Sequence, residues 1–335
     1  MSESVTRSFA IFSQERLKPA VDTVTARRRT GLYIALGVGF ALFLLFAAVV
    51  YLFFAPYRDL MGEHGISYWP LLFLAPASLG MIGFSLVYIL SLRHAVKEFR
   101  ETLVGKMAEF IDPAIVHESG KTLPKEKLEG GLLTAIGGKP LSGTDQFRGR
   151  IPGAAVHFSD LRMKREKSGP DGKDQMLTGL YFYAVMKRKF AMPIMVFPSS
   201  VEVSRSGLEA KLRADGDNVG AGLLRLDDPA FGRQILVPSG GEDFVLKLLS
   251  APEFARLEAL RKRDDASLYL SCRGDCLRVA VLSSSERLDL PGLFDGFDFG
   301  HCREFCRDAR MCMDLAISVA ERNDLWLDGG GAEQQ

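Results

Sequence analysis

Few residues of this chain are suited to act as nucleophiles or metal ligands: five cysteines and five histidines. Two of the cysteines bracket Arg-Gly-Asp in the stretch YLSCRGDCL, Tyr269 to Leu277. On an exported chain this would read as a disulfide-pinned loop. In a reducing compartment, paired cysteines suggest a metal or redox site instead. A zinc site could draw on His301, Cys302 and Cys306 together with Cys272. Against it, Cys302, Phe305, Cys306, Ala309, Cys312, Met313, Ala316 and Val319 form one apolar stripe at helical spacing. Free cysteine packs as a small hydrophobe, so the expectation is core packing and no metal or other cofactor.

Other constellations fall short of chemistry. Gly120-Lys121-Thr122 resembles the end of a phosphate loop, but Ile115 stands where that loop needs glycine. Gly137-Gly138-Lys139 fails likewise, with Leu133 and Pro140 at the two required positions. None of His64, His94, His117, His157 and His301 forms a helical pair with Glu. His157 alternates with Val156 and Phe158, which places it on the less buried side of a strand. Asp227-Asp228 precedes Pro229 and reads as a turn cap rather than an acid–base pair. No catalytic residue is expected.

The elements around the two cysteines fix their geometry. Leu268, Leu270 and Cys272 alternate on one strand, and Leu277, Val279 and Val281 on the next. Matching these rows puts Cys272 opposite Leu277 and Arg273 opposite Cys276, with Gly274-Asp275 as a two-residue turn. Cys272 then points into the core and Cys276 to the other face, so no disulfide joins them.

The chain's location follows from its first hundred residues. Gly31 to Phe54 and Pro70 to Leu92 carry no charge and are long enough to cross a bilayer core of roughly 30 Å. Arg7, Arg16, Lys18 and Arg27-Arg28-Arg29 precede the first run; Arg93, Lys97, Arg100 and Lys106 follow the second. Between them only Arg58 is basic. Basic flanks stay in the cytoplasm, so both termini are expected inside. Tyr51, Tyr57, Tyr68 and Trp69 would form an outer aromatic belt. Gly31, Ala35 and Gly39 recur on one face, and Gly80 and Gly83 thin the second helix, which suits close packing of the two. Neither run holds an ionisable residue, which argues against a two-helix transporter.

The expected architecture is α+β: an N-terminal transmembrane helical hairpin and helical stalk, then a strand-rich cytoplasmic domain ending in a long helix. The segments read as a cytoplasmic arm (1–30), first span (31–54), outer loop (55–69) and second span (70–92). A stalk and connector (93–130), an α+β domain (131–328) and a disordered tail (329–335) follow. Val96, Phe99, Leu103, Met107 and Phe110 carry helical spacing into the stalk, and Pro113 stops it. AAVHFSDL, MLTGLYFYAVMK, MPIMVFP, LLRLDD and RQILVP read as strands. KREKSGPDGKDQ reads as a loop, and EDFVLKLLS, PEFARLEALRKR and a terminal segment from about Gly300 to Asn323 as helices.

Two apolar spans, then GRIPGAAVHFSDL, GLYFYAVMKRKFAMPIMVFP and LRLDDPAFGRQILVP, then PEFARLEALRKR, a hairpin and a last helix form an order that resembles the bacterial domain of unknown function 3137 family. The resemblance covers roughly Gly131 to Trp326 plus the anchor. Its most specific parts are the Gly-Leu-Tyr-Phe strand with Phe190 and Pro193 after it, and LDDPAF ahead of a strand. LSAP and PSGG depart from that family's turns, and the paired cysteines lie outside its pattern. The resemblance implies a multi-pass protein of the bacterial inner membrane and no particular activity.

With 42 basic and 41 acidic residues there is no global field for nucleic acid. The leading functional expectation is a membrane-anchored, non-catalytic cytoplasmic domain whose partners are the lipid bilayer and either another protein or further copies of itself. A ligand sensor or enzyme with an unrecognised site is the alternative; a metal or thiol redox sensor is the third reading. A deep pocket with convergent Asp, His or Arg would favour the second.

Overall fold

In a computed structural model, the described residues are 3–57, 69–121, 123–124, 128, 138–165, 175–201, 203–217, 219–228, 232–250, 252, 255–256, 266–283 and 297–327. They divide into two compact units, Met1–Leu103 with Leu290–Phe297, and Val104–Asp289 with Asp298–Gln335.

The first unit is helical. Helix α1 (Glu3–Phe12) runs through a π-helical turn into α2 (Lys18–Phe54), and α3 (Trp69–Phe99) pairs with α2. The arm read from sequence as residues 1–30 is therefore largely helix, and Pro19 stands just past the π-helical turn, at the start of α2. Both helices are long and apolar enough to cross a membrane. Only 6% and 17% of their most apolar stretches are buried, unlike the core helix of a soluble domain. The small residues do bring the helices together. A β-carbon on Gly80 would lie 2.8 Å from the Gly39 carbonyl oxygen, and one on Gly39 would lie 2.9 Å from that of Gly80. Ala35 is fully buried between them, and Arg27 pairs with Glu98 at one end.

The second unit is α+β. Beyond a second π-helical turn, α4 (Gly105–Ile111) leads to β1 (Ile115–Ser119). Seven strands continue the order: β2 (Gly138–Ile151), β3 (Ala154–Arg165), β4 (Gln175–Met186), β5 (Ile194–Pro198), β6 (Leu223–Asp228), β7 (Arg233–Pro238) and β8 (Ser267–Arg273), with β9 (Cys276–Ser283) the last. All belong to one antiparallel sheet ordered β1-β2-β3-β4-β9-β8-β5-β7-β6. The sheet thus starts at Ile115, inside the segment read as stalk and connector (93–130), and not after residue 131. Helices α5 (Arg205–Ala214), α6 (Glu242–Leu249) and α7 (Phe299–Glu321) complete the unit. PEFARLEALRKR lies mostly outside the described residues, as do most of KREKSGPDGKDQ and the tail 329–335.

Alternation sorts each strand into two faces. Phe147 and Phe158 meet Phe305 of α7 on one face, where Phe182 stacks beside Phe158; the Phe147 and Phe158 rings stack at 4.6 Å. On the other, Tyr181, Tyr183, Tyr269, Met195, Phe197 and Leu282 pack with Leu208 and Leu212 of α5. Because both faces are covered, β5, β7 and β9 are buried along their whole length. The strands carry no outward solvent row, so β9 holds a polar residue, Arg278, inside a double layer.

Candidate functional site

The Cys-Arg-Gly-Asp-Cys hairpin forms as its residue types dictate. Cys272 pairs with Leu277 and Arg273 with Cys276, and Gly274 takes φ +57°, a left-handed conformation that glycine adopts without strain. Both cysteines are free thiols. Cys272 faces the α7 layer with Leu270 and Leu268, and Cys276 faces the α5 side.

Three further segments converge on the hairpin tip. The loop after β4 straps it, with Met186 N–H donating to the Asp275 carbonyl and Phe190 N–H to that of Gly274, both at 2.7 Å. The segment after α7 returns to the same loop: Leu327 N–H donates to Lys189 and Ala191 N–H to Leu325, while Trp326 packs on Phe190 at 4.8 Å. The third segment is the end of α5. Gly216, at φ +84°, closes that helix in a Schellman turn, with Asp217 N–H donating to Leu212 and Gly216 N–H to Arg213. The turn sets Asp215 and Asp217 on either side of the glycine, and both reach Arg273. Asp215 Oδ2 lies 2.9 Å from Arg273 Nη2, and Asp217 accepts from its Nε.

Together these segments wall a cleft of about 570 Å³, lined by Lys189, Phe190, Ala191, Pro193 and Leu327, by Asp215 to Asp217, and by Arg273 to Cys276 with Arg278. That volume lies in the range of small-molecule pockets, roughly 300–1,000 Å³. Its most unusual member is Arg278. It sits mid-strand opposite Ser271 and Tyr183, is 8% exposed, and has no carboxylate partner among the described residues. Its Nε and Nη1 have no hydrogen-bond partner among the described residues. Tyr181 is hydrogen-bonded to it. Burial raises the Tyr181 hydroxyl well above its ordinary value, and the Arg278 charge acts against that rise. Burial likewise pushes Tyr183 up to about 12. Both phenols are therefore neutral neighbours that leave the guanidinium charge uncompensated. A buried cation of this kind costs several kcal/mol unless an anion joins it.

The residues singled out from sequence lie elsewhere. Cys302, Cys306 and Cys312 are fully buried on the sheet-facing stripe of α7 with Phe305, Ala309 and Val319. Burial pushes Cys302 up to about 12 and raises Cys272, Cys306 and Cys312 well above the usual thiol value, which keeps them as protonated, inert thiols. His301 stands apart from them, 39% exposed between Asp298 and Glu304 at 3.9 Å each. Among the described residues no group of three or more His, Cys, Asp or Glu is arranged to hold a metal. Arg225 holds Asp227 at 2.8 Å, and Arg233, across the strand pair, grips Asp228 through Nε and Nη2; the turn at 229–231 that they were expected to cap lies outside the described residues. His157 stacks on Tyr183 at 4.7 Å, half-buried. His117 bonds Asp145 at 3.0 Å beneath α7, away from the cleft. Sequence reasoning missed Arg278, Asp215 and Asp217; the signals were an arginine inside the apolar run CLRVAVL and the helix stop ADGD.

No protein-family model matches the chain, and no curated protein matches it. Among solved structures, the crystal structure of the mycobacterial trehalose monomycolate transport factor A is similar over 63% of this chain and 90% of that one, at 11% identity and a TM-score of 0.33. A likeness at that level carries no argument about fold or function.

Proposed function

We propose that this is a membrane-anchored ligand-binding protein. Helices α2 and α3 hold it in the bacterial inner membrane with both termini in the cytoplasm, and the sheet unit offers its cleft there. The observation that carries ligand binding is Arg278, a buried guanidinium without a carboxylate partner among the described residues, at the wall of a small-molecule-sized cleft. It favours a ligand over the protein partner or self-association that the anchor alone suggests. The exposed apolar surface of α2 and α3 supports the anchor, and the basic flanks support its direction. The order of motifs shared with the domain of unknown function 3137 family is in keeping with such a protein.

Two measurements test this. Cell fractionation should place the intact chain in the membrane, resistant to carbonate extraction, with the sheet unit shielded from protease added outside spheroplasts. Small molecules released on denaturing protein extracted in mild detergent should include one that is absent from the Arg278→Met variant. A chain found in the soluble fraction defeats the anchor, and identical small-molecule profiles defeat the ligand.

A further inference from the structure

The charges around the cleft narrow the ligand. The lining holds Arg278 and Lys189, neither in an ion pair with a described residue. It also holds Asp215 and Asp217, which both reach the guanidinium of Arg273. The C-terminal end of α5 carries those two aspartates, and its last carbonyls add partial negative charge, equivalent to about half an elementary charge. Asp275 adds a third carboxylate at the hairpin tip. Three basic and three acidic side chains thus line one cleft. Phe190, Ala191, Pro193 and Leu327 supply apolar wall around them.

A polyanion suits this lining poorly. A phosphate dianion or pyrophosphate would meet Arg278 and Lys189 but bring two or more charges toward three carboxylates and a helix C-terminus. A cation alone would find the aspartates and leave the Arg278 guanidinium buried without an anion. A molecule that carries one carboxylate and one ammonium answers both the buried guanidinium and the aspartates, and it leaves the filled cleft neutral. Charge-assisted bonds from guanidinium to carboxylate and from ammonium to carboxylate are the strong kind, and they discriminate best where one partner is buried, as Arg278 is. We infer that the cleft binds an amphoteric carboxylate, a free amino acid or short peptide, with its carboxylate on Arg278 and its amine toward Asp215 and Asp217. This rests on the ligand-binding reading above and names its chemical class.

The test uses the full chain in detergent micelles. The common L-amino acids and a set of glycyl dipeptides are screened by thermal shift and then by calorimetry. Acetate, inorganic phosphate and putrescine serve as single-sign probes. The expected result is saturable binding of at least one amphoteric probe. Its N-acetylated and its amidated derivatives should each bind about tenfold or more weakly, because each lacks one charge-assisted contact. Arg278→Met should weaken binding by about tenfold or more while leaving the empty protein as stable or more so, since it removes an unpaired buried charge. Asp217→Asn, which keeps a hydrogen-bond acceptor beside Arg273, should weaken the amphoteric probe and not acetate. If phosphate or putrescine alone binds and Arg278→Met abolishes it, the amphoteric class is wrong while ligand binding stands. If no probe binds and Arg278→Met unfolds the protein, Arg278 is a structural residue and both readings fall.

Discussion

Phe305 joins α7 to the sheet, and its removal should expose the thiols of the whole unit together. The ring is fully buried, 5.5 Å from Phe147 and 6.2 Å from Phe158, which are themselves fully buried on adjacent strands. Phe305→Ala leaves a hole walled by two stacked rings on paired strands, which cannot collapse to fill it. The cost is then about 3–5 kcal/mol. At about 1.4 kcal/mol per tenfold, the open population rises roughly 140- to 3,700-fold. All five cysteines lie in this unit and are buried, so thiol labelling reads its opening without interference from the helical hairpin. Labelling of the full chain in detergent would be followed residue by residue by mass spectrometry, at low reagent concentration so that reclosing outpaces reaction. Cys272, Cys302, Cys306 and Cys312 should accelerate by one common factor in that range. Cys276, at the cleft, supplies an internal comparison because it has a local route to reagent. An acceleration below about tenfold, or one confined to Cys302 and Cys306, would falsify the claim that Phe305 ties helix and sheet into one cooperative core.

Gly80→Leu should separate α2 from α3, because the new β-carbon meets the Gly39 carbonyl and the backbone has nowhere to retreat; spin labels at Arg28 and His94 should move apart, and unchanged distances would count against close packing. Arg310 donates to the Phe110 and Ile111 carbonyls at 2.6 and 2.9 Å and lies over the Phe110 ring, closing the end of α4. Arg310→Ala should cost about 2 kcal/mol in urea unfolding, and Arg310→Lys should recover less than half, since an ammonium cannot fork to two carbonyls; full recovery would refute the fork. Stability should also fall in alkali. Burial holds the Cys272, Cys302, Cys306 and Cys312 protons in the folded state, whereas an unfolded thiol loses its proton near pH 8.5. Below about pH 8.5 that contribution is fully present; above it unfolding releases protons, and stability drops by about 1.4 kcal/mol per pH unit per thiol. Urea midpoints under reductant from pH 7.5 to 10 should decline, and the double variant Cys306→Ala, Cys312→Ala should decline about half as steeply; a flat wild-type profile would defeat this.

The hairpin register was legible because an alternating row has one choice that keeps Leu268, Leu270, Leu277 and Val279 together. The stripe of α7 was legible because a helix twenty-three residues long repeats its apolar face several times. Shorter elements were not. β1 reads IVHES, too brief for alternation to show, and α5 reads RSGLEAKLRA, where two buried leucines carry the apolar face. The cleft escaped for a different reason. One strand face was assigned to the core and the other was left without a partner layer, and Arg278 lies on that second face. The second layer that buries it comes from α5 and the loops, whose position depends on pairings between residues far apart in sequence. β1 was hidden likewise: whether a five-residue segment joins a sheet is decided by β2, not by the segment.

The order of the sheet sets a timetable for its making. β4 ends at Met186, and its partner β9 is not complete until Ser283, nearly a hundred residues later. At ~5–20 residues per second, a ribosome leaves the inner edge of β4 unpaired for roughly 5–20 s. β5 waits for β8 in the same way. The nascent chain therefore passes through a stage with two half-sheets and open apolar edges, which a late hairpin must enter to join. Synthesis rate and chaperone supply, more than the stability of the finished unit, should govern how much of this protein is recovered folded.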